Sequence, residues 1–221
     1  MNQFVQPLHS SSFLKPGQVR QLARQEAILK AALHLFASRG YYGTAVPDIA
    51  KLAAVGTGTI YRYFADKEDF ANAVLLHSLN CMKSVLTYDD LTAFPTVRQM
   101  FGTVWMRLID FALEYPDEFR FLELQDHVSY RSAEVEALDR ELMMPIWFFF
   151  NLCRQAGIAR DQSAELTTAL VWGVFTSLFK SSYAGYYALN EQQYLQAEQN
   201  AWDVFSNGHD GLVSPEVLFQ S

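Results

Sequence analysis

The chain has 221 residues, half of them apolar and only 19% charged. That is enough to bury one large or two small cores, and it excludes a disordered chain. The net charge of −7 argues against a nucleic-acid partner only until it is resolved along the chain. Residues 1–63 carry seven Lys/Arg against Glu26 and Asp48, a net of +5, whereas residues 81–221 carry nine basic and nineteen acidic residues, a net of −10. A basic head on an acidic body points to a polyanion at one end only. Cys81 and Cys153 stand far apart with no CxxC or His-rich context, which argues against a disulfide framework or a zinc site and for a reducing, cytoplasmic setting. Met1 to Leu14 has neither a basic start nor an apolar h-region. The longest apolar run, Met143 to Phe150, is broken by Pro145 and is too short to cross a bilayer, so no membrane partner is expected.

In chain order, residues 1–17 are polar and irregular, with His9-Ser10-Ser11-Ser12 and Pro16-Gly17, and are expected to form a flexible arm. Apolar residues at helical spacing then run from about Gln18 to Arg39 (Ile28, Ala31, Ala32, Leu35, Phe36), and Gly40 ends this helix. Thr44 is placed to cap a short second helix, Ala45 to Ala53, with Pro47 in its first turn. Val55-Gly56 makes a turn, and a third short helix spans about Thr57 to Phe64. Asp66 caps a fourth, Lys67 to about Leu86.

Tyr88-Asp89-Asp90 and Pro95 punctuate a linker. Thr96 with Gln99 resembles a capping box and opens a helix to Glu114. Pro116 starts the next, through about Tyr130. Ser132 opens another to about Ala156, kinked or broken at Pro145. Asp161 or Ser163 caps a long helix to about Leu189, and a last helix runs from about Glu191 to Phe205. Strand-like alternation is absent, so the fold class expected is all-α. The closing Glu216-Val217-Leu218-Phe219-Gln220 resembles a picornaviral 3C-protease recognition sequence and is left out of the fold reasoning.

The informative stretch is Arg24 to Phe70, where two short helices meet at a tight Gly-containing turn behind a longer packing helix. This is the helix-turn-helix layout, whose second short helix enters the major groove. Ile60 and Phe64, four apart, face the core. Thr57, Gly58, Tyr61 and Arg62 then face outward. Gly58 lets the backbone approach a partner, and threonine, tyrosine and arginine suit phosphate and base-edge contacts. Lys67 sits in the first turn of the fourth helix, where its amine and the free N–H groups can hold a phosphate.

These residues carry a resemblance. The segment Ala27-Ile28-Leu29, Leu35-Phe36-Ala37-Ser38-Arg39-Gly40-Tyr41, Thr44, Ile49-Ala50, Ala53-Ala54-Val55, Gly58-Thr59-Ile60-Tyr61-Arg62-Tyr63-Phe64 and Lys67-Glu68 resembles the tetracycline-repressor (TetR) family of regulators. It covers about fifty residues densely, and the G-T-I-Y-x-Y-F-x-x-K block stands at the right distance from the F-x-x-x-G block. The C-terminal part is similar in layout only. The resemblance implies an N-terminal three-helix DNA-binding domain and a C-terminal helical ligand-binding and dimerisation domain. The domain bounds are then an arm at 1–17, the helix-turn-helix domain at 18–66, the ligand and dimer domain at 67–206 and a tail at 207–221. It implies that Thr44, Thr57, Thr59, Tyr61, Tyr63 and Lys67 touch DNA, with Gly58 and Arg62 beside them on the outer face. Gly56 stands where the family often has Ser or Thr, removing one hydroxyl contact to phosphate. It further implies a homodimer through the last two long helices and an effector pocket in the body.

That body is rich in aromatics. Leu166 to Leu189 is apolar nearly all round and must be buried on several faces, one of them against a partner subunit. Trp105, Phe121, Trp147 and Phe175 are the candidate pocket wall, with His127, Tyr130 and Asn151 as polar anchors. The expected effector is apolar or amphipathic: an acyl chain, an aromatic compound or a drug. A large anion suits a body of this charge only if Arg98, Arg107 or Arg120 points inward. Asp126-His127 is no catalytic dyad, because neighbouring helical positions point about 100° apart. No phosphate loop, metal spacing or nucleophile elbow is present. No enzyme activity and no cofactor is therefore expected. The functional expectation is a ligand-responsive repressor on a near-palindromic, double-stranded operator. The alternative is a helical module whose head meets protein instead of DNA.

Overall fold

The computed structural model describes residues 15–86 and 94–219. The arm up to Leu14, the Tyr88-Asp89-Asp90 linker and the last two residues lie outside the described residues. The described part is helical, as the periodicity predicts. It comprises α1 (Pro16–Arg39), α2 (Val46–Leu52), α3 (Thr57–Ile60), α4 (Lys67–Val85), α5 (Val97–Glu114), α6 (Pro116–Leu124), α7 (Ala133–Gln155), α8 (Ala164–Tyr183), α9 (Glu191–Phe205) and a final 3-10 turn, Pro215–Phe219. The chain divides into two compact units: residues up to Cys81 with Tyr115–Leu138, and Met82–Glu114 with Asp139 onward.

In the first unit, Pro16 occupies the opening turn of α1, where its missing N–H costs nothing. The helix thus claims Pro16 and Gly17 from the expected arm. Gly40 closes it in the left-handed region, φ 73°, its N–H donating to the Phe36 carbonyl. The face of Ile28, Ala32, Leu35 and Phe36 is buried. It packs on α2 and on α6, the Phe36 and Phe121 rings stacking at 5.6 Å.

One local expectation is corrected here. Thr44 does not cap α2, whose N-cap is Ala45 without a side-chain bond. It is 1% exposed, and its hydroxyl donates back to the Leu35 and Gly40 carbonyls at 3.2 and 2.9 Å. Gly56 is the N-cap of α3 with φ −74°, so the left-handed position of the turn after α2 falls to another residue. Ala54 takes it, with φ 54°. Ala54 N–H donates to Lys51 O and Val55 N–H to Ala50 O, the paired bonds of a Schellman ending.

Asp66 caps α4 as expected, accepting from Asp69 N–H at 2.8 Å, while the Asp69 carboxylate accepts from Ala65 N–H. α6 stops at Leu124, short of Tyr130, because the next residues fold into a tight turn held by side chains. The Asn72 amide of α4 donates to Tyr130 O and accepts from Ser132 N–H, each at 2.7 Å. Also on α4, His77 sits between the Cys81 thiol and the Glu118 carboxylate. These two raise its pKa to about 9, the Cys81 hydrogen bond first and the Glu118 hydrogen bond second, against the effect of burial.

The second unit packs α8 and α5 on α9 around Phe101, Phe150, Phe175, Trp202 and Phe205, all buried. Ser163 caps α8, its side chain accepting from Leu166 N–H. α8 ends at Tyr183, followed by Gly185 at φ 79°, six residues before the expected Leu189. α7 runs as one continuous helix through Pro145, so of the expected break or kink the break does not occur. The C-terminal tail, including Leu218 of the stretch set aside in the sequence, joins this core. Val213 and Gly211 carbonyls accept from Val97 and Arg98 N–H at 2.8 and 2.9 Å, satisfying orphan donors of the α5 N-terminus, and Leu218 is buried.

Candidate nucleic-acid interface and effector cavity

The third helix lies at the surface of the first unit. Ile60, 1% exposed, and Phe64, stacked on Phe70 at 4.4 Å, anchor it in the core. Their spacing turns the intervening residues outward: Gly58, Tyr61 and Arg62 are exposed, Tyr61 by 53%, while Thr57, Thr59 and Tyr63 are half-buried. α3 is a single regular turn, prolonged to Phe64 by the bonds Tyr63 N–H to Ile60 O and Phe64 N–H to Ile60 O at 2.9 and 3.1 Å. A Cβ on Gly58 would meet nothing within 4 Å, so packing does not demand glycine there.

Lys67 opens α4 and extends over the Tyr41 ring, Nζ 4.2 Å from its centroid. Burial lowers the Lys67 pKa, and it raises that of Tyr41 ahead of smaller effects from Glu68, Tyr42 and Asp66. Tyr41 is itself stacked on Tyr130 at 4.1 Å. The spacing between Gly40-Tyr41 and Lys67 gave no sign of this contact, because 26 residues of chain separate the two. Thr44, expected at the same surface, is spent on helix α1 and offers no hydroxyl outward.

The second unit holds a cavity between three of its helices. α5 contributes Met100, Phe101, Val104, Trp105 and Leu108; α7 contributes Pro145, Ile146, Phe149 and Phe150; α8 contributes Thr168, Val171 and Trp172. Each set repeats at three and four residues, the signature of one helix face. The wall is apolar but for few groups. The Thr168 hydroxyl is bonded to Ala164 O at 2.7 Å. The Trp105 Nε1–H is buried and finds no hydrogen-bond partner among the described residues.

Of the seven sequence candidates for this pocket, the structure puts Trp105 on the wall. Phe175 stands directly behind it, ring to ring at 5.5 Å. Trp147 and Asn151 belong to α7 but do not line the cavity. Phe121, His127 and Tyr130 belong to the first unit, Phe121 fully buried in its core and His127 half-buried. Phe121 fills the contact with Phe36. His127 Nε2 faces the Phe121 carbonyl at 2.5 Å and Nδ1 faces the Tyr130 hydroxyl at 2.6 Å. A carbonyl only accepts, so the proton is on Nε2, and neutral Nδ1 accepts from Tyr130. The ring is saturated by its own turn and has nothing left for a ligand. Arg98 does not serve the cavity either. Its guanidinium forks onto the Glu198 carboxylate, with a 2.6 Å bond to Oε2, and donates to Gln199 at 3.0 Å.

An exposed short helix over a tight Schellman turn, at the end of the basic stretch 1–63, defines a helix-turn-helix regulator of transcription. Residues 28–74 match the family described as bacterial regulatory proteins, tetR family, and residues 78–207 match the tetracyclin repressor-like C-terminal domain. The chain belongs to the TetR family. The regulator HbdR of an Aromatoleum species is 44% identical over 82 residues, 37% of this chain and 36% of its own length. The repressor NicS of Pseudomonas putida is 29% identical over 145 residues, 62% of this chain and 66% of its own. The first of these matches spans about a third of the relative's length. A TetR-family structure from Marinobacter aquaeolei shares the fold, with a TM-score of 0.73 at 22% identity over 86% of this chain and 98% of its own. The Bacillus subtilis regulator FadR, solved with stearoyl-CoA, shares it at a TM-score of 0.65 and 17% identity over 83% and 98%. No described helix is long and apolar enough to cross a membrane.

Proposed function

We propose that the protein is a homodimeric cytoplasmic repressor that leaves its operator when a small apolar or amphipathic molecule enters the α5–α7–α8 cavity. The observation that carries this is the apolar wall of that cavity. The fitting ligand is an aliphatic or aromatic body; a buried N–H without a partner costs about 1–3 kcal/mol, and an acceptor on the ligand that reaches the indole of Trp105 would relieve that cost. An acyl chain with its carbonyl has that form, and FadR, whose structure holds stearoyl-CoA, supplies a precedent of the same fold.

On the DNA side, Gly58, Tyr61 and Arg62 enter the major groove, Thr57, Thr59 and Tyr63 take phosphates at its edge, and Lys67 holds a phosphate at the start of α4. The dimer forms through α8 and α9, where Leu166, Leu170 and Leu195 are exposed by 50, 43 and 53%. Leu166 and Leu170 stand one turn apart on α8, and Leu195 lies towards the other end of the α8–α9 pair, next to Tyr194, which stacks on Phe179; a second copy lying along both helices would cover them. The two states need differ in DNA affinity by only about 1–3 kcal/mol for effective release.

The test is fluorescence anisotropy with labelled DNA from upstream of the protein's own gene, at two salt concentrations. Saturable binding that beats random DNA, falls steeply with salt and is reversed by a long-chain acyl compound is expected. The same release with Trp105→Phe at unchanged effector concentration would remove the indole from the account. Sequence-blind or absent binding at low salt would overturn the DNA assignment.

A further inference from the structure

On the face of the first unit where α4 meets α6, three side chains of different chemistry converge. His77 and Cys81 are four apart on α4, so they stand one turn above each other. Glu118, in the first turn of α6, faces them. One nitrogen, His77 Nε2, points at both neighbours: 3.7 Å from the Cys81 sulfur and 3.5 Å from the Glu118 Oε1. All three candidate ligand atoms lie within 4.8 Å of one another. We propose that His77, Cys81 and Glu118 form a three-ligand site for a divalent transition-metal ion of the Zn2+ class.

The distances carry the proposal. A tetrahedral Zn2+ with N and O at about 2.0–2.2 Å and S at about 2.3 Å places N and S about 3.6 Å apart, and N and O about 3.4 Å apart. Two edges of the tetrahedron are thus already present to within about 0.1 Å. The third, sulfur to carboxylate, closes by rotation of the Glu118 side chain, the longest and most flexible of the three. The donor set is right in kind: a thiolate and an imidazole select a borderline-soft ion over Mg2+ or Ca2+. It is also right in charge once the ion displaces the proton from His77, since thiolate, neutral imidazole and carboxylate together balance a dication. All three residues are half-buried, so an ion can enter from solvent and water can take the fourth position. Without CxxC spacing the site is invisible to a cysteine count; only the packing of α6 on α4 supplies the third ligand.

Bound metal would fasten α6 to α4 within the unit that carries the recognition helix. The experiment is a titration of the reduced, full-length protein with Co2+ and then Zn2+ at neutral pH. The expected result is a thiolate-to-cobalt charge-transfer band that saturates at one ion per chain and is abolished by Zn2+. Cys81→Ser should lose the band. His77→Ala and Glu118→Gln should weaken Zn2+ binding by more than the roughly 10–100-fold typical of second-shell losses. Cys153→Ala should keep it, because Cys153 is buried in the second unit. Zn2+ should raise the melting temperature of the wild type but not of Cys81→Ser. Circular dichroism of each variant without metal separates loss of the site from loss of the fold. No thiolate band in the wild type, or a band that survives Cys81→Ser, would overturn the site and leave His77 and Glu118 as an ion pair.

Discussion

Lys67 and Tyr41 form a cation–π pair at 4.2 Å, which fixes the amine at the N-terminus of α4 instead of leaving it to wander in solvent. A partly desolvated ammonium beside free helix N–H groups is a prepared phosphate site. Lys67→Ala is expected to weaken DNA binding uniformly across sequences and to lower the slope of log affinity against log salt by about one. Tyr41→Leu should produce a smaller loss with the slope kept, because the charge remains but its position is released. Anisotropy at four salt concentrations measures both. An unchanged slope in Lys67→Ala would show that this lysine meets no phosphate.

Gly58 has open space where a Cβ would be, so nothing in the fold requires glycine. Gly58→Ala should hold or raise stability by roughly 0.5–1 kcal/mol, the helix preference of alanine over glycine. The same change should weaken operator binding if the backbone approaches DNA there. Melting and anisotropy on one preparation decide it. Loss of stability would mean that an unrecognised contact fills the space. Unchanged affinity would mean that α3 docks by another face.

Ala54 occupies the left-handed position of the Schellman turn between α2 and α3, φ 54°. An L-residue there costs roughly 1–2 kcal/mol, and the added freedom of glycine in the unfolded chain returns roughly 0.4–1 kcal/mol of that. Ala54→Gly should therefore stabilise the protein by up to about 1 kcal/mol, or about 2–4 °C in Tm for a chain of this size. A lower Tm would contradict the turn geometry.

His127 is held neutral. Burial lowers its pKa, outweighing the raising effect of the backbone bonds at Phe121 and Leu122. A folded pKa below the ordinary value of 6.5 means that the unfolded chain takes up the proton more readily. The stabilising effect is complete above about pH 6.5 and is lost as pH falls through the depressed value. The wild type should lose Tm between pH 7 and pH 5 more steeply than His127→Gln does. Parallel curves would show that the ring gains nothing from being neutral.

Much of this protein is determined by its sequence alone, for a physical reason: the information is local. Helix periodicity, Gly40, Asp66 and Ser163 act within one or two turns, and Ile60 and Phe64 decide which side of α3 meets the core without reference to any distant residue. The dense motif from Ala27 to Glu68 is of the same kind. The tertiary structure decided what depends on contacts between elements far apart in sequence. An aromatic at helical spacing looks the same whether it lines a cavity, as Trp105 does, or stacks on Phe36 in another unit, as Phe121 does. Thr44 is an equally good cap or back-bonding hydroxyl until Leu35 and Gly40 stand beside it, and His127 is an equally good ligand or turn residue until Tyr130 and the Phe121 carbonyl saturate it. The C-terminal segment shows its role only when Val97 and Arg98 need acceptors. Tyr41 under Lys67 and Glu118 beside His77 and Cys81 could not be foreseen, because hydrophobic packing of α1 and α4 against other elements brings these groups together, and their own chemistry does not.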